Sequence, residues 1–174
     1  MYFGGMPAVD VTRTYLEMRS RSELATAPTP DGAARIERVG FCSTAFFRFL
    51  YVEVGRAYRW TDRLGWTDAQ IRSYLDAGDV TFHVLYLAGA PAGYFELRRH
   101  ADRSIEIAYF GLLGEYIGRG LGAWLLSQAT EAAWAERPDR VWLHTCTLDH
   151  PNALPNYLRR GFRPVRQEVY QVAL

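Results

Sequence analysis

The chain has 174 residues, 49% of them hydrophobic and 22% charged, with 20 basic side chains against 19 acidic ones and a formal charge of +1. That is enough for one ordinary domain with its own core and the balance of a soluble globular protein, without the basic excess of a nucleic-acid-binding module. No apolar run approaches the roughly 20 residues that cross a bilayer, and the N-terminus has no basic leader, so no membrane association and a cytoplasmic location are expected.

In chain order, Val9 to Met18 alternates apolar and polar or long side chains and predicts a first strand with one wet face. The flank before it, residues 1–8, is expected to be loose. Ala25 to Gly32 reads as a loop from its two prolines and Asp-Gly pair, and Ala33 to Val39 as a short strand. Ser43 is a plausible N-cap for a helix from Thr44 that stops at Gly55. Arg56 to Trp66 is aromatic and basic without a clear period, hence a partly ordered loop. Thr67-Asp-Ala-Gln begins a second helix, ended by Gly78. From Val80 the period changes to two. Val80 to Leu87, a tight Ala88-Gly-Ala-Pro turn and Ala92 to Arg99 make an antiparallel hairpin, and His100 to Arg103 turns the chain into the next strand. Residues 105–113 form an almost wholly apolar strand that carries one carboxylate, Glu106.

Gly118, Gly120 and Gly122 follow, with a helix expected from about Arg119 to Glu136. Glycines let backbone N–H groups approach a ligand, and a helix N-terminus aims its unpaired N–H groups and positive dipole end at an anion. The Arg119 guanidinium would suit phosphate oxygens. Val141 to Thr147 is another strand, Asp149 to Gly161 holds a short helix, and Val165 to Val172 is a final strand that could pair across a homodimer. Cys42 and Cys146 lack metal or redox spacing and read as buried thiols. The class is α+β on a mixed sheet.

The glycines alone also fit a dinucleotide fingerprint. A Rossmann unit, however, places them after the first strand of an alternating series, whereas here a three-stranded meander comes first. A P-loop needs a lysine, and the chain has none. With that context, residues 104–126 and the stretch His144 to Phe162 resemble the acyl-CoA-dependent N-acyltransferases of the GNAT superfamily. The family pattern, a Gln or Arg followed by x-x-Gly-x-Gly/Ala, falls on Ile117-Gly-Arg-Gly-Leu-Gly, with Ile117 departing from the usual polar residue.

The resemblance implies a single GNAT-like domain: a mixed, mostly antiparallel central sheet with a V-shaped splay and helices on both faces. It further implies acetyl-CoA as donor and a primary amine of a small molecule or peptide as acceptor, joined by direct attack in a ternary complex without a metal. By carry-over, Phe110, Gly111 and Leu112 meet the pantetheine arm, the Leu112 amide facing the thioester carbonyl. Gly118, Arg119, Gly120, Leu121, Gly122 and Ala123 cradle the pyrophosphate. His150 or Asn152 contacts the arm. Glu106 takes the position of a general base, with a structural carboxylate paired to an arginine as the other reading. Tyr157, four residues before Gly161-Phe162, takes that of the general acid, a core tyrosine being the alternative. Glu96 is a second base or an ammonium anchor, and Trp60, Asp62 and Trp66 line the acceptor pocket unless the two tryptophans merely pack a lid. Two rival readings are a non-catalytic acyl-CoA sensor on the same fold and a nucleotide oxidoreductase.

Overall fold

A computed structural model describes residues 8–173. The expected loose flank, residues 1–7, lies outside them, while Ala8 already opens the first strand, opposite Ala173. The strands are β1 (Ala8–Met18), β2 (Ala34–Arg38), β3 (Val80–Leu87), β4 (Ala90–Arg99), β5 (Ser104–Leu112), β6 (Arg140–Cys146) and β7 (Arg163–Ala173). The helices are α1 (Thr44–Gly55), α2 (Asp68–Leu75), α3 (Leu121–Ala135) and α4 (Ala153–Arg159). None is long and apolar enough to cross a membrane.

Local chemistry sets the boundaries. Ser43 caps α1 by accepting from Phe46 N, and Thr67 and Gln70 form a reciprocal capping box on α2. In the β3–β4 hairpin only Ala88 and Gly89 turn, both with positive φ (49° and 88°), the pair a two-residue connection requires. Ala90 and Pro91 belong to β4, so the turn is shorter than the four residues expected.

One seven-stranded sheet has the order β2-β3-β4-β5-β6-β1-β7. Chain order gave no sign that β1 would lie inside, between β6 and β7, with Tyr15 opposite both His144 and Arg166. β7 is an edge strand. Helices cover both faces, and neighbouring strand residues feed opposite cores: Val84 and Tyr94 pack with Phe47, Leu50 and Val54 of α1, while Leu85 and Phe95 pack with Leu125 and Ala129 of α3. This double burial is why β3 and β4 are apolar at successive positions.

The pairing of β5 with β6 positions everything that follows. It is the sheet's parallel contact and holds for three residue pairs, Ser104↔Arg140, Ile105↔Val141 and Glu106↔Trp142. Past Glu106 the two strands diverge and the sheet opens as a V.

Candidate active site

The V becomes a cleft of about 1290 Å³ between the loop of residues 56–67, the second half of β5, the start of α3 and the α4 region. Its central wall is the free edge of β5. Leu113 N donates to Ala92 O (2.9 Å), on the β4 side. Successive amides alternate along a strand, so the N–H of Leu112 and that of Phe110 point to the edge β6 has left. Phe110, Gly111 and Leu112 all line the cleft. Gly111 is required by close approach, because a Cβ there would come within 2.4 Å of Val54 Cγ1 in α1.

A bulge re-aims the strand. Glu96 pairs with Tyr109 but Leu97 with Ile107, so Ala108 is the extra residue. Strict alternation would put Glu106 and Tyr109 on opposite faces; the bulge puts both on the face that carries Glu96 and Arg98.

At one end of the cleft the chain coils into α3. Gly118 and Gly120 have positive φ (83° and 75°), and Gly120 is the N-cap of a helix that starts at Leu121, two residues later than expected. Gly118, Gly120, Gly122 and Ala123 line the cleft, as does Ile117. The Leu121 side chain is buried in the α3 core, leaving its backbone alone for the turn. Arg119 does not line the cleft; its guanidinium lies over Tyr116, 5.5 Å from the ring centre. Asn156, which sequence reading passed over, ties α4 to this turn by donating to Gly122 O (3.3 Å).

The two carboxylates have separate fates. Glu96 is completely buried, accepts from Arg63 Nη1 at 2.8 and 2.9 Å and from Tyr74 Oη at 2.6 Å, and does not reach the cleft. Arg63 in turn sits in a ring of aromatics, with its guanidinium 3.9 Å from the centre of Tyr109, 4.3 Å from Tyr74 and 4.9 Å from Trp66. The residue expected as a second base or ammonium anchor thus sits in a core ion pair, its carboxylate enclosed by Arg63 and Tyr74 with no face on the cleft. The arginine-paired carboxylate weighed for Glu106 is found at Glu96 instead. Glu106 faces the cleft and bonds His100 Nε2 through Oε2 (2.8 Å).

Tyr157 reaches the cleft from α4, its ring packed edge-on against Phe110 and Phe162. Burial pushes its hydroxyl pKa well up, so it stays protonated at any ordinary pH. His150 and Asn152 also line the cleft. His150 Nδ1 accepts from Asn152 N (3.1 Å), and its ring meets Tyr58 edge-on, joining the two walls at the mouth. Of the two cysteines expected to be buried thiols, Cys42 is buried, its thiol pushed up to about 11 by desolvation, whereas Cys146 is half-buried on the cleft wall.

The loop of residues 56–67 contributes Trp60, Asp62 and Trp66 to the cleft lining. Trp60 is half-buried over Tyr109 (5.0 Å between ring centres) and Trp66 stacks on Phe47, so both pack and line at once, while Asp62 is exposed. Opposite them, the inserted β1 and its neighbours bring Arg13, His144 and Tyr170 to the cleft, none of them singled out by any local pattern. His144 is exposed on the cleft surface, and its partial enclosure by the walls, together with Arg13 nearby, shifts it toward the neutral form.

The model of the acetyltransferase (GNAT) family matches residues 47–162, about two thirds of the chain. A search of curated proteins finds no match. Among solved structures, the chain is similar to a GCN5-related N-acetyltransferase from Sphaerobacter thermophilus (17% identity, TM-score 0.67, 97% of this chain and 53% of that one). It is similar to another from Kribbella flavida (22%, 0.64, 96% and 59%). An acetyltransferase from Bacillus subtilis in complex with CoA also matches (19%, 0.58, 75% and 77%). At such identities the likeness is one of fold, and the chain spans less than two thirds of the first two structures.

Proposed function

This chain belongs to the acetyltransferase (GNAT) family, and from that premise we propose that it transfers an acetyl group from acetyl-CoA to a primary amine of a small molecule or peptide. The observation that carries the reading is the convergence of Glu106, the free β5 edge and Tyr157 on one cleft that ends in a glycine-capped helix N-terminus.

The residues present fit the donor. The amides around Gly118 to Ala123 suit a pyrophosphate, through unpaired N–H groups and the positive end of the α3 dipole. The open edge of β5 suits the amide-bearing pantetheine arm, which pairs there as a strand would. Bound in this way, acetyl-CoA supplies an activated acyl group. The Leu112 N–H then faces the thioester carbonyl and stabilises the negative charge that builds on its oxygen; one such donor is typically worth about 3–4 kcal/mol. Glu106 takes a proton from the acceptor ammonium, directly or through a water, and the protonated Tyr157 hydroxyl donates to the departing sulfur. The acceptor enters past Tyr58, Trp60 and Asp62, whose rings and carboxylate favour a cation.

Titration calorimetry with acetyl-CoA, followed by thiol release at saturating acetyl-CoA over an amine library, tests the reading. Micromolar to submillimolar binding with amine-dependent release is expected. Binding without release from any amine would favour an acyl-CoA sensor on the same fold, and preference for NAD(H) over CoA would reject both.

A further inference from the structure

His100 stands directly behind Glu106, on the side away from the cleft. It ends the β4 arm of a turn made rigid by Asp102, whose Oδ1 accepts from Ser104 N (3.0 Å) and Ser104 Oγ (2.6 Å), with Arg103 at φ 62°. His100 N donates to Ser104 O (2.9 Å). Trp142 packs on the imidazole (5.4 Å between ring centres) and is itself fixed by donating to Ser104 Oγ (3.1 Å). The ring is therefore held with Nε2 at 2.8 Å from Glu106 Oε2. Exposure differs along the pair: the Glu106 side chain is 13% exposed and lines the cleft, while that of His100 is 32% exposed and does not line it. Neighbouring cations are engaged elsewhere, Arg98 by Asp79, and Arg140 by Glu17 and Asp102. The group that meets Glu106 is the imidazole.

We propose that His100 is the proton exit of the active site: as the Nδ1–H tautomer it receives at Nε2 the proton that Glu106 takes from the acceptor, releases the Nδ1 proton to solvent, and returns to that tautomer by proton exchange with water before the next turnover. The proposal rests on the reading of Glu106 as general base. Its chemistry balances: an acceptor ammonium loses two protons on becoming an amide, one leaving through Glu106 and His100, the other ending on the CoA thiol by way of Tyr157. An exit behind the base leaves the cleft side of Glu106 to the acceptor, since His100 does not line the cleft. Imidazole suits the task, since it accepts at one nitrogen and donates at the other near neutral pH.

Thiol release from acetyl-CoA, with tryptamine, phenethylamine and spermidine as probe amines, tests this in four proteins: wild type, Glu106→Gln, His100→Ala and His100→Gln. His100→Gln keeps a hydrogen-bonding amide beside Glu106 but relays no proton. Both His100 variants are expected to lose about tenfold in turnover, less than the roughly 10²–10⁴-fold of a general base itself, with the KM for acetyl-CoA unchanged. Free imidazole should restore His100→Ala and leave Glu106→Gln as it is, and the double variant Glu106→Gln/His100→Ala should be no slower than Glu106→Gln. Wild-type turnover in His100→Gln beside an impaired Glu106→Gln would overturn the exit and leave the base standing. Wild-type turnover in Glu106→Gln would overturn the base and the exit together. A His100→Ala loss that imidazole does not restore, additive with Glu106→Gln, would make His100 a structural residue only.

Discussion

Glu96 and Glu106 lie on adjacent strands and the same sheet face, a few residues apart across the β4–β5 ladder, yet the fold surrounds them in opposite ways. Around Glu96 every valence is met: Arg63 and Tyr74 bind it, and aromatic rings enclose the guanidinium. Around Glu106 one oxygen meets a histidine and the rest of the carboxylate faces a cleft. A buried carboxylate with all its partners built in holds structure, here the loop that bears Trp60, Asp62 and Trp66. A carboxylate with one mobile-proton partner and one open side is equipped to take up and give away a proton. The V-shaped parting of β5 from β6 separates these two fates, because it begins at Glu106.

The sharpest break of the Glu96 side is Glu96→Gln, which leaves Arg63 buried without its counter-charge. It should lower unfolding free energy by about 3–5 kcal/mol, measured by denaturant melts. A loss under 1 kcal/mol would mean that the ion pair does not anchor the loop.

A second histidine sharpens the contrast with His100. His83 is buried and stacked on Phe95 (4.5 Å), and desolvation, with Arg38 adding to it, lowers its pKa to about 4 from an ordinary 6.5. Because the unfolded chain binds this proton more readily than the folded one, the stability that neutral His83 contributes is complete above pH 6.5 and is lost as pH falls toward 4. The loss over that window should be about 3 kcal/mol. Between pH 8 and pH 4 wild type should therefore lose about 3 kcal/mol more stability than His83→Phe; parallel stability-versus-pH curves would contradict it.

Smaller still, Tyr74→Phe removes one of three hydrogen bonds to Glu96 and should cost about 2 kcal/mol while the Arg63 pair persists. A loss as large as that of Glu96→Gln would show that the hydroxyl, rather than the guanidinium, holds the carboxylate.

Much of the fold was legible because its signals are local. Ser43 and Thr67 mark helix starts by side chains that cap their own backbone, Ala88-Gly89 marks a hairpin, and the glycines before α3 mark a turn whose positive φ only they accept readily. The glycine turn before α3 and the positions of Glu106 and Tyr157 on the cleft follow from such signals together with the family resemblance. What sequence could not supply is set by long-range pairing. Nothing in Val9 to Met18 says that β1 lies between β6 and β7, so Arg13 went unremarked. The Ala108 bulge, which aligns Glu106 with Tyr109, has no glycine or proline to announce it. The partner of Glu96 is 33 residues away, which is why a carboxylate of a core ion pair reads from sequence as a second base or an ammonium anchor.

The central claim, that Glu106 performs chemistry while Glu96 holds the frame, is tested most directly by comparing Glu106→Gln with Glu96→Gln in amine-dependent thiol release and acetyl-CoA calorimetry, at a temperature where both are folded. The account predicts that Glu106→Gln binds acetyl-CoA like wild type and loses roughly 10²–10⁴-fold in turnover, whereas Glu96→Gln keeps turnover within a few-fold and loses stability. Wild-type turnover in Glu106→Gln, or a catalytic collapse confined to a fully folded Glu96→Gln, would contradict it.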